Sequence, residues 1–220
     1  MRWLLMMWMV LACGTARSED MHVAPPDIVG VLHRSQQTQL DAMTPADPAS
    51  SRVQTVRASF DKLLRALGHP ALSKVELRVV RGETVGETLQ GRIVVANVGL
   101  ADLPEGERIF ILAHELGHVM LDHWAQVGRL YAKWVPGAVV QQETDAVADR
   151  LGRDASALAY RQEFEADAFA LSTLRALGLA DQHVIAAFMD LGWRGDTATH
   201  PGTRKRLAAL RALAPDWRPM

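Results

Sequence analysis

The sequence predicts an α+β fold, a mainly helical domain with a small β-sheet placed just ahead of a buried helix. Three observations carry that expectation. First, the pentapeptide His114-Glu115-Leu116-Gly117-His118 sits inside an almost unbroken apolar run, Ile109 to Ala113 before it and Val119 to Leu121 after it. A helix apolar all round belongs in a protein interior. Second, two short stretches around residues 75–79 and 93–98 read as strands. Third, residues 52–67 and 159–177 repeat apolar residues at helical spacing.

At the N-terminus, Arg2 precedes ten apolar residues, Trp3 to Ala12. A membrane-spanning helix needs about 20 residues, so residues 1–16 have the charge, length and small-residue ending of a secretory signal. Two cleavage outcomes fit. Val10-Leu11-Ala12-Cys13 loosely resembles a bacterial lipobox, which would leave a mature chain lipidated on Cys13 and attached to a membrane. Cleavage after Ala16 would instead remove Cys13. Because Cys13 is the only cysteine, neither outcome permits a disulfide framework or thiol catalysis. The expected location is the periplasm, either free or membrane-anchored. A net charge of −1 with dispersed basic residues excludes a nucleic-acid partner.

Residues 17–50, with Pro25, Pro26, Pro45 and Pro48, read as an irregular lead-in carrying a short helix at 27–40. One domain is expected over 51–220. Val53, Val56, Phe60, Leu63, Leu64 and Leu67 share a helix face that Gly68 ends. Val75, Leu77 and Val79 alternate with Glu76 and Arg78 as a strand, and glycines 82, 86 and 91 punctuate a turn before the strand 93–98. Pro104 opens the apolar helix, with Asp102 as its expected cap. Trp124, Tyr131 and Trp134 precede a Pro136-Gly137 break, and a polar helical stretch follows from Gln141 to Leu151. The region 124–158 therefore reads as a helical hairpin, with a mobile lid or a membrane-touching element as the alternative. In the helix 159–177, Glu163 and Asp167 lie one turn apart and share the packing face with Ala170 and Leu174, whereas Glu165 points to solvent. A turn at Gly192, Gly195 and Asp196 leads to a last helix, Pro201 to Leu213, with His200 just before it.

Two imidazoles and a carboxylate inside an apolar helix cost several kcal/mol unless something pairs with them. His114 and His118 are four apart, about 40° of helix rotation, so both rings share a face, and Glu115 beside them can reach a metal-bound water. By chance alone, H-E-x-x-H arises in roughly one such chain in a hundred, so a third ligand has to be found. His123 falls about 140° round the helix from His118 and about 180° from His114, so it faces away from both. The longer pattern with Gly and a third His is excluded by Leu121 and Trp124 at those places. Glu163 is the better candidate. It would complete a two-His, one-Glu site for one Zn²⁺ per chain, and Asp167 can accept the spare ring N–H of a ligand histidine.

His114-Glu115-Leu116-Gly117-His118, then Glu163-Phe164-Glu165-Ala166-Asp167, then His200-Pro201 with Arg206 six residues after the histidine, resemble the three successive signatures of the HtpX/BepA-type zinc metalloendopeptidases. That group also contains the CaaX prenyl proteases and the Oma-type proteases. The resemblance covers about residues 90–213. It implies a zincin-like metallopeptidase domain, zinc on His114, His118 and Glu163, Glu115 as base, Asp167 behind a ligand, and His200 and Arg206 near the substrate carbonyl. It further implies polypeptide substrates, which such enzymes commonly pair against an edge strand; residues 92–98 are the candidate, with a plain core strand as the alternative. The chain lacks the long membrane spans and helical repeats of larger members, so a minimal catalytic domain is expected. Two rivals stand beside this reading. One is an ImmA/IrrE-like zinc peptidase, against which the export signal, Asp167 and His200-Pro201 argue. The other is a non-catalytic, chaperone-like metal-binding protein of the envelope, in which Glu115 would have no use.

Overall fold

The computed structural model describes residues 26–213. The secretory-signal and lipidation expectations, with Cys13, lie outside the described residues. Helix α1 (Ile28–Ala42) starts where the Asp27 carboxylate accepts from Gly30 N at 2.7 Å. A two-residue strand β1 (Thr44–Pro45) follows, so the proline-containing lead-in supplies both a 15-residue helix and part of the sheet. Helix α2 (Ser51–Leu67) is capped by Ser50 and stopped by Gly68 at φ 55°, a conformation that favours glycine. It buries Val53, Val56, Phe60 and Leu63.

Strands β2 (Glu76–Arg81), β3 (Gly86–Leu89) and β4 (Ile93–Asn97) complete a four-stranded sheet in the order β1-β2-β4-β3. β4 runs parallel to β2 and antiparallel to β3. The return strand β3 therefore lies on the outside and β4 in the middle. Val94 and Ala96 join the core made with α2 and the apolar helix, while Ile93 and Val95 pack with Val80, Leu89 and Leu40 of α1. Burial on both faces explains why β4 is apolar without alternation.

That apolar helix, α3 (Glu105–Met120), is buried continuously from Gly106 to Gly117. Asp102 does not cap it. A short 3₁₀ turn (Val98–Asp102) intervenes, Pro104 occupies the cap, and Asp102 pairs with Arg52. The chain then breaks at Asp122, which adopts φ 53°, and α4 (His123–Trp134) sets off in a new direction. After Pro136-Gly137, α5 (Gln141–Ala176) runs unbroken for 36 residues, joining two stretches that read separately in sequence. Gly152 costs only about 1 kcal/mol within a helix and no proline intervenes, so the helix propagates through it. Gly178 and Gly192, at φ 71° and 77°, follow α5 and α6 (Gln182–Asp190), and α7 (Thr203–Leu213) begins two residues later than Pro201.

Glycine decides how closely α5 approaches α3. A Cβ on Gly117 would stand 3.1 Å from the Ala166 Cα and 3.2 Å from the Phe169 ring. Small residues on both sides thus bring the two helices together beside His118. No described helix is long and apolar enough to cross a membrane.

Candidate metal centre and active site

α3 aims two imidazoles at one point: the Nε2 atoms of His114 and His118 are 3.2 Å apart. α5 supplies a carboxylate to the same point. Glu163 Oε2 lies 3.6 Å from His114 Nε2, and Oε1 lies 3.4 Å from His118 Nε2. Glu163 Oε2 is buried and has no hydrogen-bond partner, although Arg206 Nη1 stands within ion-pair distance at 3.3 Å. Burial alone would raise the Glu163 pKa, but the charges of His114 and Arg206 and the His118 contact hold it well below the usual carboxylate range. Two imidazole nitrogens and one carboxylate converging in this way fit a divalent transition-metal cation.

Behind His114 stands an ionic pair. Asp167 Oδ1 is 3.0 Å from His114 Nδ1, close enough to accept that ring's N–H and leave Nε2 as the donor to a metal. Asp167 is only 1% exposed, and Arg206 from α7 grips it with Nε at 2.7 Å and Nη2 at 2.5 Å. Burial would raise the Asp167 pKa, but the Arg206 hydrogen bonds reverse the sign and lower it. For Arg206 the same contacts outweigh burial and raise it. The guanidinium also covers the Phe188 ring at 4.9 Å. Its nitrogens are thus tied to Glu163 and Asp167 of α5, although it borders the cleft.

Behind His118 the structure departs from the sequence expectation. His123 does not face away. Its Nδ1 lies 2.9 Å from His118 Nδ1, and its Nε2 lies 3.2 Å from Glu165 Oε2. On one continuous helix it would face away, but the left-handed Asp122 ends α3 and folds His123 back. Glu165, expected to be purely solvated, is 42% exposed at its side chain and reaches inward to that ring. Gln162 Nε2 donates to the His123 carbonyl at 3.1 Å. Burial, followed by the neighbouring imidazoles, pushes His123 down to about 4, so it is neutral at pH 7.

Glu115 faces the cleft from the other flank. The Thr88 hydroxyl lies 2.8 Å from both Glu115 Oε2 and the Glu115 carbonyl, holding the carboxylate against β3. Gly86 leaves it room, since a Cβ there would come within 3.0 Å of Glu115 Oε1. Sequence reading took residues 92–98 as the substrate strand. β4 is instead central and fully buried from Val94 to Ala96. The outer strand is β3, and it walls the cleft. The cleft has a volume of about 480 Å³ and is closed on the far side by residues 191–201 and Arg206. Phe110, Ile111, Phe188 and Leu191 make part of it apolar. His200 stands at its rim, 60% exposed, with Nε2 3.8 Å from Glu163 Oε1 and Nδ1 2.8 Å from the Thr199 hydroxyl.

An H-E-x-x-H helix crossed by a glutamate-bearing helix, beneath a cleft with a strand along one wall, is the arrangement of a metallopeptidase. Residues 50–214 match the model of Peptidase family M48, and the chain belongs to that family, whose members are metal-dependent peptidases. No curated protein matches the chain in sequence.

Proposed function

We propose that this chain is a zinc-dependent endopeptidase of the HtpX/BepA type, acting on polypeptides in the bacterial envelope, in protein quality control. The observation that carries the zinc reading is the convergence of His114, His118 and Glu163 around a buried carboxylate oxygen that no hydrogen bond satisfies. Zinc bound there supplies Lewis acidity toward water and the scissile carbonyl. Glu115 accepts the proton of the attacking water and passes it to the leaving amine, its carboxylate oriented by Thr88. The outer edge of β3, which pairs with no strand among the described residues, offers backbone hydrogen bonds to an extended substrate. The apolar part of the cleft takes an apolar side chain. His200 Nε2 supplies a donor to the developing oxyanion.

Location rests on the sequence alone: the short apolar N-terminus supports export, and Cys13 supports lipid attachment. Palmitate incorporation that disappears in Cys13→Ser supports the anchored form, and an unprocessed cytoplasmic product defeats export altogether.

The chemistry is tested by zinc content and casein cleavage in wild type and Glu115→Gln. The variant is expected to keep its zinc and lose nearly all cleavage, because the amide cannot take the proton. Substantial cleavage by a metal-replete Glu115→Gln sample overturns the assignment. His200→Ala is expected to lower kcat roughly a hundredfold with zinc retained, and unchanged kinetics would remove His200 from the reaction.

A further inference from the structure

The contacts behind His118 admit only a small number of hydrogen arrangements. A ring nitrogen that carries hydrogen donates, and one without hydrogen accepts; a neutral imidazole has one of each. The 2.9 Å approach between the Nδ1 atoms of His118 and His123 therefore needs one hydrogen, held by either ring. If His118 holds it, His123 keeps its own hydrogen on Nε2 and donates to Glu165 at 3.2 Å. If His123 holds it, the Nε2 lone pair of His123 meets a carboxylate, which has only lone pairs to offer. In that second case His118 carries its hydrogen on Nε2, where only the longer 3.4 Å contact with Glu163 Oε1 would receive it, and cannot ligate a metal through that nitrogen.

We propose that Glu165, acting through His123, sets the tautomer of His118 that leaves Nε2 free for the metal. His123 and Glu165 are then positioning residues of the centre. The backbone serves the same end. Asp122 turns the chain so that His123 lies over His118, and Gln162 holds the His123 carbonyl from α5. One stretch of α5, residues 162–167, thus governs all three ligands: it provides Glu163, orients His114 through Asp167, and orients His118 through His123 and Glu165. The consequence for metal affinity rests on the metallopeptidase reading, whereas the tautomer is a property of the chain itself.

The test uses the full chain, ¹⁵N-labelled and stripped of metal, with long-range ¹H–¹⁵N correlation of the imidazoles and zinc affinity measured by chelator competition. Wild-type His118 is expected to carry hydrogen mainly on Nδ1, the relay from Glu165 outweighing the 3.4 Å approach of Glu163 Oε1 to Nε2. Glu165→Ala shifts the balance toward Nε2, and the zinc Kd rises about tenfold, the lower end of the loss typical for removing such an outer partner. Glu165→Gln, whose amide oxygen still accepts, restores most of the affinity. His123→Asn, with an oxygen near the former Nδ1 position, retains more zinc than His123→Leu. An unchanged His118 tautomer balance in Glu165→Ala, with Kd within about twofold of wild type, overturns the proposal. Because Glu165 is partly exposed, that variant tests the idea even if His123→Leu does not fold. A folded wild-type chain that binds no zinc and cleaves no casein overturns the metallopeptidase reading instead, and the NMR result then stands separately.

Discussion

His114 and His118 occupy one face of one helix, a single turn apart, yet they are supported by opposite means. His114 leans on ions: a buried aspartate held by a bidentate arginine from the far end of the chain. His118 leans on a neutral ring that ends in a partly exposed glutamate. The ionic side is stiff, and its members depend on one another, because removing one partner strands a charge in the interior. The neutral side carries direction with little desolvation, so its loss mainly affects ligand orientation. The difference teaches that two histidines on one helix face need not be equally costly to disturb.

The largest expected effect breaks the ionic side. Arg206→Ala leaves Asp167 buried and uncompensated and should cost about 3–5 kcal/mol in urea unfolding of the metal-free chain. The pH dependence should follow. The Asp167 pKa is lowered by folding, so its stabilisation is present above the unfolded value of 3.8 and is lost as pH falls through that range toward the folded value. Arg206→Ala should flatten that acid limb. A cost below that of Glu165→Ala would reverse the comparison.

Glu107, a buried carboxyl of α3, sharpens it, because its neighbour is an acid rather than a cation. Glu107 is 5% exposed, its Oε2 has no hydrogen-bond partner, and its neighbour is Asp190 at the end of α6. Burial, then the contact with Asp190, raises its pKa from 4.5 to about 7. The sign is opposite to that of Asp167. Its protonated form stabilises the fold fully below pH 4.5, and that stabilisation is lost as pH rises to about 7. Glu107→Gln should therefore flatten unfolding free energy across this window, with a gain over wild type above pH 7 of at most about 3 kcal/mol. Parallel curves for the two proteins would contradict the raised pKa of Glu107.

The smallest effect lies on the neutral side. Glu165→Ala removes only a partly exposed carboxylate and should change stability by about 0.5 kcal/mol or less. A loss comparable with that of Arg206→Ala would show that both ligands rest on equally rigid supports.

Much of the site was legible because periodicity locates faces on long, regular helices. Four-residue spacing put His114 with His118 and Glu163 with Asp167, and the packing confirms that these faces point inward. Breaks were harder. Leu121-Asp122 contains neither glycine nor proline, so nothing in the sequence marked the turn that returns His123 to the centre. β3 was missed because Gly-Glu-Thr-Leu has one large apolar residue and no alternation, whereas the buried β4 has the stronger strand signal and was mistaken for the edge. Residues 182–190 also gave no separate expectation, although α6 supplies Phe188 to the cleft. The reach of Arg206 to Asp167 spans 39 residues and two helices, a distance over which periodicity carries no information.

The bidentate grip of Arg206 also bears on how the protein is made. Synthesis proceeds from the N-terminus, so both imidazoles, Glu163 and Asp167 leave the ribosome before the arginine that balances them. Until α7 docks, the buried acids of α5 lack their permanent cation, and the helix pair cannot close tightly around them without a large electrostatic cost. Completion of the catalytic centre is thereby coupled to arrival of the last helix. A chain interrupted before residue 206 carries His114, His118, Glu163 and Asp167 but not the guanidinium that balances the two acids.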